Sequence, residues 1–258
     1  MNDSASPVRV TLEEDGSLLR VLLARPRGNI LDTAMVGAIR AALEEHRHTV
    51  GLRSILFAGE GPHFSFGASV EEHRPGAVEE MLPEFHRLFR DLAGSGRVLL
   101  AAVTGCCLGG GLELAAFCHR LWAAPDGKLG NPEIKLGVFA PIASVILPLR
   151  IGQARADVLL LTGRQVDAAE ALALGLVDEV SEDPEAAARD WHRRHIVPLS
   201  GAALAHAVQA GRHDFHRALR QTLDEVERRY LDELMATHDA QEGIAAFLEK
   251  RAPKWTHA

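Results

Sequence analysis

The chain contains the run Val98-Leu99-Leu100-Ala101-Ala102-Val103 and, after Thr104, the segment Gly105-Cys106-Cys107-Leu108-Gly109-Gly110-Gly111-Leu112-Glu113. The continuous apolar run predicts a strand that is covered on both faces, as strands of parallel sheets are. The glycine triplet predicts the start of a helix, whose first backbone N–H groups have no partner within the helix. Free N–H groups of this kind stabilise a developing negative charge. The segment therefore indicates an α/β fold with a ligand site beyond the carboxyl end of a strand.

The flanking sequence repeats this alternation of strands and helices. Strands are predicted at 8–12 and 18–23 around the turn Asp15-Gly16, and at 54–58 and 121–124. Helices are predicted from Asp32 or Thr33 to Glu45, over 78–93, and from the glycine triplet to about His119. After about residue 154 the strand pattern fades, and the predicted helices are 154–175, 184–195, 202–213 and 216–250. The best boundary is Pro198–Gly201, which divides the chain into a core, 1–200, and a C-terminal helical region, 201–258.

The composition limits the kinds of molecule that the protein is expected to bind. The 258 residues are 47% hydrophobic, which is enough for a sizeable core, and the net charge is −7. An acidic chain lacks the basic footprint of a nucleic-acid-binding protein, whereas a few local Arg or Lys side chains still suffice for an anionic small ligand. The sequence has no apolar run of membrane-spanning length and no metal-ligand spacing among its three cysteines. We expect a cytoplasmic protein with no membrane partner and no metal.

Two glutamates are the candidate catalytic groups. Glu113 follows the glycine triplet, and Glu133 lies in Asn131-Pro132-Glu133. Two carboxylates in one place can share a water molecule, one removing its proton and the other delivering a proton. They are 20 residues apart, so only the tertiary fold can bring them together. Taken alone, Glu113 is equally well a first-turn carboxylate that complements a helix dipole, and Glu133 an exposed loop acid.

Five segments, in the same order along the chain, resemble the enoyl-CoA hydratase/isomerase (crotonase) superfamily. They are Arg25–Leu31, Phe64–Ala68, Gly105–Glu113, Pro132–Gly137 and Gly243–Arg251. The resemblance implies a crotonase (ClpP-like) spiral of stacked ββα units, followed by C-terminal helices that mediate trimer contacts. It also implies a homotrimer or a dimer of trimers, and an acyl-CoA thioester substrate. Coenzyme A is then part of the substrate, and we expect no separate cofactor.

The same resemblance assigns the central roles residue by residue. Ala68 and Gly110 match the two positions whose backbone N–H groups form the family's oxyanion hole. Glu113 and Glu133 match its two catalytic carboxylates; hydratases of the family carry both, and many isomerases keep one. Attack on a conjugated thioester places negative charge on the thioester oxygen, which is the charge that such amides stabilise.

Further substrate contacts are implied at the periphery of the site. Arg27 and the main chain around Ile30 resemble the family's CoA-binding edge, while Phe247 and Lys250 match positions that contact CoA from a neighbouring subunit. The positions expected around the acyl group are Phe66, Ser69, Val70, Phe139 and Pro141. For Arg27 and Lys250 the alternative is a solvated surface charge, and for the aromatic and proline positions it is ordinary packing.

Three segments depart from the common family pattern: His63–His73, Leu136–Pro141 and Leu234–Ala240. Ser69 stands where the pattern has Asp, and Pro141 begins a stretch where the pattern is rich in glycine. The segments resemble family members that hydrate a CoA-bound cyclic diene in anaerobic degradation of aromatic compounds. The expected function is therefore hydration of such a diene. The alternatives are general enoyl-CoA hydration or isomerisation in fatty-acid oxidation, and a non-catalytic binding protein.

Overall fold

The structure, a computed structural model, describes residues 6–25 and 27–258, so Pro26 of the Arg25–Leu31 segment lies outside the described residues. The strands are β1 Val8–Glu13, β2 Leu18–Leu23, β3 Ser54–Gly59, β4 Val98–Val103, β5 Cys106–Leu108, β6 Arg120–Ala123, β7 Lys128–Gly130, β8 Gln165–Asp167 and β9 Glu179–Val180. The helices are α1 Thr33–Glu45, α2 Val78–Gly94, α3 Gly110–Phe117, α4 Pro141–Ile151, α5 Gln153–Thr162, α6 Ala168–Leu174, α7 Pro184–His195, α8 Gly201–Gly211, α9 His213–Arg228 and α10 His238–Leu248.

Six strands form the main sheet in the order β1-β2-β3-β4-β6-β9. Strands β1 and β2 pair antiparallel, as the turn at Asp15-Gly16 predicts, and β2, β3, β4, β6 and β9 run parallel. Strand β4 is buried along its whole length, which confirms the prediction from its unbroken apolar run. Because the strands are parallel, the loops that follow β2, β3 and β4 lie together at one edge of the sheet.

A second, three-stranded sheet, β5-β7-β8, lies beyond this edge. Its members are three residues long and were not predicted, because so short a segment carries no measurable periodicity. The alternation of strands and helices confirms the predicted α/β class.

The helices after residue 150 are more broken than the sequence pattern predicts. The predicted helix 154–175 is α5, strand β8 and α6, separated at Gly163, whose backbone is left-handed. The predicted helix 216–250 is α9, a π-helix over Arg229–Leu234, and α10. Thr237, whose side chain accepts from the Ala240 N–H, caps the start of α10. Both predictions of a single long helix were wrong because local caps override a continuous apolar pattern.

The C-terminal helices pack on the α/β core. Helix α9 lies against α4 and α2, and buried residues Leu219, Leu223, Tyr230 and Ile244 belong to the same apolar core as β4 and α3. Helix α8 begins at Gly201, next to the predicted boundary between 200 and 201. In the described parts of the chain no helix combines the length and the apolar character needed to cross a membrane.

Candidate active site

The loops that follow β3 and β4 are joined by main-chain hydrogen bonds. The Ser65 N–H donates to the Cys106 carbonyl at 3.1 Å, and the Leu108 N–H donates to the Ser65 carbonyl at 2.9 Å. The buried Ser65 hydroxyl donates to the Asn29 carbonyl at 2.8 Å and accepts from the Gly67 N–H at 3.0 Å. These bonds fix the Phe64–Ala68 loop against the start of the glycine-rich segment.

The Ala68 N–H is directed away from this bonded network. The Gly67 carbonyl accepts from the Leu31 N–H at 2.9 Å. The peptide bond between Gly67 and Ala68 is trans, so the N–H of Ala68 points to the opposite side from that carbonyl. Neither the Ala68 N–H nor the Gly110 N–H donates to any protein atom in the described residues. The structure thus presents two free amide donors where the sequence predicted them.

Each glycine of the triplet fills a position that has no room for a side chain. A Cβ on Gly109 would lie 2.8 Å from Oε1 of Glu133, and one on Gly111 would lie 2.6 Å from Cβ of Ser65. A Cβ on Gly110 would lie 3.0 Å from the Phe85 ring and 3.2 Å from the Ala68 nitrogen. The triplet therefore lets the start of α3 approach both the Ala68 amide and the Glu133 carboxylate.

Glu133 lies in a short 3₁₀-helix, Pro132–Leu136, directly after β7. Its Oε1 accepts a long, 3.5 Å hydrogen bond from the amide of Asn131, which also donates to the Gly109 carbonyl at 3.3 Å. Its Oε2 is buried and has no partner among the described residues. The alternative of an exposed loop acid is wrong, because the carboxylate faces inward against the start of α3.

Glu113 is buried in the first turn of α3, only 3% exposed. Its Oε1 accepts from the Ala143 N–H at 2.8 Å. Ala143 lies in the first turn of α4, whose N-cap residue, Ala140, provides no side-chain cap. The Glu113 carboxylate therefore caps α4 rather than complementing its own helix, and the positive end of the α4 dipole holds it in place.

The two carboxyl groups perturb each other. Burial raises the pKa of Glu113 to about 8, and the neighbouring Glu133 charge adds to this rise, against the amides of Ala143 and Ile142. Burial raises the pKa of Glu133 to about 7, and its hydrogen bonds to its own backbone N–H and to the Asn131 side chain oppose the rise. Because two like charges in a buried site disfavour each other, the pair favours one protonated and one ionised carboxyl group at neutral pH. One protonated and one ionised carboxyl group are what paired acid and base chemistry needs.

A cavity joins these groups. Its lining, as far as the structure describes the chain, contains Ala68, Gly110, Glu113 and Glu133, and the remaining lining side chains are almost all apolar. The apolar lining residues are Phe66, Val70, Met81, Leu82, Phe85, Pro132, Leu136, Val138, Phe139, Pro141 and Ile244. Apart from the two glutamates, His73 is the one ionisable side chain in this described lining. The cavity therefore suits an uncharged acyl group with its reacting carbon near the carboxyl pair.

The structure brings most of the predicted acyl contacts to this cavity. Phe66, Val70, Phe139 and Pro141 line it, and Pro141 is the first residue of α4. Ser69 does not line it; its carbonyl accepts from Nδ1–H of His73 at 2.7 Å. The Pro141 stretch, which departs from the family pattern, forms the start of α4, and the Ala143 N–H in this first turn donates to Glu113.

The predicted CoA contacts lie outside the cavity lining. Arg27 is exposed with a positive φ of 103°, and Ile30 is half-buried in the same loop. Phe247 is 53% exposed and Lys250 is exposed at the end of α10, one and two turns beyond Ile244, which does line the cavity. The structure does not bring Phe247 and Lys250 to the site of their own chain.

Sequence reasoning missed several residues of the site. Asn131 and His73 carry polar atoms beside the glutamates and the oxyanion loop, and Met81, Phe85 and Ile244 contribute apolar walls. Met81 and Phe85 lie in the predicted helix 78–93, and helical spacing of apolar residues does not distinguish a cavity wall from ordinary core. Asn131 precedes the predicted Pro132-Glu133, so its amide could have been predicted to lie near the Glu133 carboxylate.

Comparison with known proteins gives a family and relatives. Residues 13–258 match the model of the family described as enoyl-CoA hydratase/isomerase. The chain is 54% identical over 255 residues to a cyclohexa-1,5-dienecarbonyl-CoA hydratase of Thauera aromatica, covering 99% of each chain. It is 36% identical over 253 residues to a probable enoyl-CoA hydratase of Mycobacterium bovis, covering 96% of this chain and 98% of that protein.

Solved structures of similar chains have the same fold. An enoyl-CoA hydratase from Mycobacterium avium superposes with a TM-score of 0.86 at 27% identity, covering 98% of this chain and all of that one (100%). An enoyl-CoA hydratase/isomerase from Pseudoalteromonas atlantica T6c superposes with a TM-score of 0.85 at 27% identity, covering 97% and 100%. The sequence relatives and the structural relatives thus agree along nearly the whole chain.

Proposed function

This chain belongs to the enoyl-CoA hydratase/isomerase family, and we propose that it is a hydro-lyase that adds water to cyclohexa-1,5-diene-1-carbonyl-CoA. The product is 6-hydroxycyclohex-1-ene-1-carbonyl-CoA, an intermediate in anaerobic degradation of aromatic compounds. The observation that carries the proposal is the convergence of Glu113, Glu133 and the free amides of Ala68 and Gly110 on one apolar cavity. The 54% identity to a hydratase of this name supports the choice of substrate.

Backbone amides stabilise the negative charge that develops on the thioester oxygen. The thioester oxygen accepts from the N–H groups of Ala68 and Gly110, which have no other acceptor among the described residues. When water attacks the carbon β to the thioester, negative charge moves onto this oxygen as a dienolate. Donors already fixed in a site that excludes water stabilise that charge without reorganising, and losing one typically costs about 3–4 kcal/mol.

The carboxyl pair supplies the proton transfers. Glu133, whose Oε2 has no partner among the described residues, is the base that takes a proton from the attacking water. Glu113, held by the Ala143 N–H, is suited to carry the proton that is delivered. Protonation at the far end of the dienolate completes a formal 1,4-addition, so that the hydroxyl group and the new hydrogen stand on opposite carbons of the ring.

Two aromatic side chains and a proline form part of the cavity wall. Phe66 and Phe139 stand at its rim and wall, and Pro141 fixes the first turn of α4 beside Glu113. Flat aromatic faces and a rigid proline suit a planar six-membered diene. General enoyl-CoA hydration is the competing function, favoured by the similarity to probable enoyl-CoA hydratases.

The coenzyme A portion of the substrate is proposed to lie along Arg27 and Ile30. Phe247, near the end of α10, and Lys250, just beyond it, are exposed and, in a homotrimer or dimer of trimers, would reach the CoA of a neighbouring subunit. A lysine ammonium group beside a phosphate acts as a mobile point charge. The region 201–258 would then both form the subunit contact and cover the acyl cavity.

A paired substrate assay tests the proposal. Initial rates are measured for cyclohexa-1,5-diene-1-carbonyl-CoA and crotonyl-CoA with the same protein preparation, and bound CoA thioesters are sought by mass spectrometry. The proposal expects turnover of the ring compound, with crotonyl-CoA the poorer substrate. Good turnover of crotonyl-CoA with none of the ring compound assigns general hydration instead. Bound thioester without turnover of either compound assigns a binding protein.

A further inference from the structure

His73 is a polar residue in the otherwise apolar wall of the acyl cavity. Apart from Glu113 and Glu133, it has the one side chain in the described lining that carries nitrogen or oxygen atoms. It ends the 3₁₀-helix Glu71–His73, five residues after the oxyanion residue Ala68. The proposed hydration mechanism uses the glutamates and the backbone amides but leaves this imidazole without a role.

The hydrogen bond at Nδ1 of His73 determines which ring nitrogen can meet a ligand as an acceptor. Nδ1 lies 2.7 Å from the Ser69 carbonyl oxygen, which can only accept, so Nδ1 carries the hydrogen and donates it. Burial lowers the pKa of His73, against the opposing effects of the Ser69 carbonyl and of Glu72. The imidazole is therefore neutral at neutral pH, and its Nε2 has a lone pair that accepts a hydrogen bond.

The ring of His73 is held in place from behind, and its Nε2 is open. Tyr230, which is 0% exposed, packs edge-on against His73 at 6.3 Å between ring centroids and against Phe139 at 5.2 Å. That side of the imidazole is closed by protein. Nε2 has no hydrogen-bond partner among the described residues and, unlike Oε2 of Glu133, is not enclosed by protein. Since the residue lines the cavity, its open nitrogen is available to the group that fills the cavity.

An open acceptor in an apolar wall discriminates between acyl groups. Before a ligand binds, water satisfies the lone pair of Nε2. A purely hydrocarbon acyl group displaces this water and leaves the nitrogen unpaired, which is unfavourable, whereas an acyl group with a hydroxyl donor replaces the lost hydrogen bond. A site with such a polar group rejects the analogue that lacks the matching hydroxyl group more strongly than an apolar wall does.

We propose that Nε2 of His73 accepts a hydrogen bond from a hydroxyl group on the acyl part of the bound thioester, so that the site selects hydroxylated cyclic acyl-CoA thioesters over unhydroxylated ones of the same shape. The inference rests on the proposed hydration, whose product is a hydroxylated ring. His73 is then a specificity-determining residue that binds through a hydrogen bond and transfers no proton.

The test compares the binding of four unreactive esters: benzoyl-CoA and its 2-hydroxy, 3-hydroxy and 4-hydroxy derivatives. The three derivatives carry one hydroxyl group at different ring positions, and dissociation constants are measured by calorimetry. We expect the wild type to bind at least one hydroxylated isomer about tenfold more tightly than benzoyl-CoA, the ratio that a hydrogen bond otherwise left unmade supports. The preferred isomer identifies the ring position that faces His73.

Two matched variants separate the two nitrogens of His73. The amide of His73→Asn places an N–H near the position of Nδ1 and leaves nothing at Nε2, whereas the amide of His73→Gln places an acceptor near Nε2 and no donor near Ser69. His73→Phe is a second variant without the acceptor, and it keeps a ring against Tyr230. We expect His73→Asn and His73→Phe to bind all four esters about equally, and His73→Gln to keep a preference for the isomer that the wild type prefers. Thermal unfolding of each variant sets a titration temperature below its transition.

The opposite patterns overturn the proposal. One is a wild type that prefers none of the hydroxylated isomers, and another is a preference in His73→Asn and His73→Phe equal to that of the wild type. A preference that His73→Asn keeps and His73→Gln loses assigns His73 the structural role of holding the Ser69 carbonyl instead. These binding measurements need no turnover, so a failure of the proposed hydration activity is detected separately in the substrate assay.

Discussion

The two sides of the acyl cavity are constructed in different ways. On one side, the Ala68 amide lies in the loop after β3 and the Gly110 amide at the start of α3, and the main chain itself provides the chemistry. On the other side, α4 and α10 contribute Pro141 and Ile244 to the lining from distant parts of the chain, and the Ala143 N–H in the first turn of α4 holds Glu113. The glutamates stand between the two sides. A site built from backbone amides requires glycines, which can be recognised in the sequence. A site built from packed helices depends on contacts between distant residues, which have no comparable local pattern.

The largest effect is expected where the two sides meet, at the carboxyl pair. Glu113→Gln and Glu133→Gln each keep the shape of the side chain but remove the proton transfer, and general acid–base catalysis is typically worth about 10²–10⁴-fold. We expect each variant to lose about that much in kcat for the ring substrate. Steady-state rates with circular dichroism as a folding control measure it. Retention of wild-type rates by both variants would remove the carboxyl pair from the mechanism.

The next effect tests the backbone side alone. Gly67 has a φ of 102°, and a Cβ there would lie 2.9 Å from the Leu108 carbonyl oxygen and 3.2 Å from the Gly110 nitrogen. Gly67→Ala should therefore displace one oxyanion donor and lower kcat by about 10²–10³-fold, the usual cost of such a loss.

Gly76→Ala is the matched control for Gly67→Ala. Gly76 also has a positive φ, 89°, and a Cβ there meets no atom within 4 Å. The control carries the same kind of backbone strain without the clash, and its kcat should stay near that of the wild type. Equal losses in the two variants would mean that strain, and not displacement of the amide, explains the result.

The smallest expected effect is a pH dependence of stability caused by Glu113, which the first turn of α4 holds. The pKa of Glu113 in the folded protein is raised to about 8 from an ordinary 4.5, so folding favours the protonated form. This stabilisation is complete below the ordinary pKa and is lost as the pH rises through the folded value. The melting temperature of the wild type should therefore fall between pH 5 and pH 9.

Glu113→Gln cannot lose this proton, so its melting temperature should fall less over the same pH range. The expected difference is several degrees or more, since a pKa raised from 4.5 to about 8 is worth a few kcal/mol and each 1 kcal/mol corresponds to about 2–4 °C in a chain of this size. Scanning calorimetry of both proteins at several pH values measures it. Parallel curves would show that Glu113 is not buried in the folded state as an acid with a raised pKa.

The same contrast explains what the sequence could predict. Strand β4 and the start of α3 were identified from an unbroken apolar run and consecutive glycines, whereas the roles of the two glutamates came from the family resemblance. The capping of α4 by Glu113 was not, since Ala143 is an ordinary residue whose N–H becomes a ligand only through tertiary packing.

Non-additivity of the two glutamates is the most direct test of convergence on one water molecule. The kcat for cyclohexa-1,5-diene-1-carbonyl-CoA is measured for Glu113→Gln, Glu133→Gln and the double variant. Residues that act as a unit are strongly non-additive, so the double variant should be no slower than the slower single variant, within about threefold. A double variant whose loss equals the product of the two single losses would mean that Glu113 and Glu133 act independently, and would contradict a shared catalytic site.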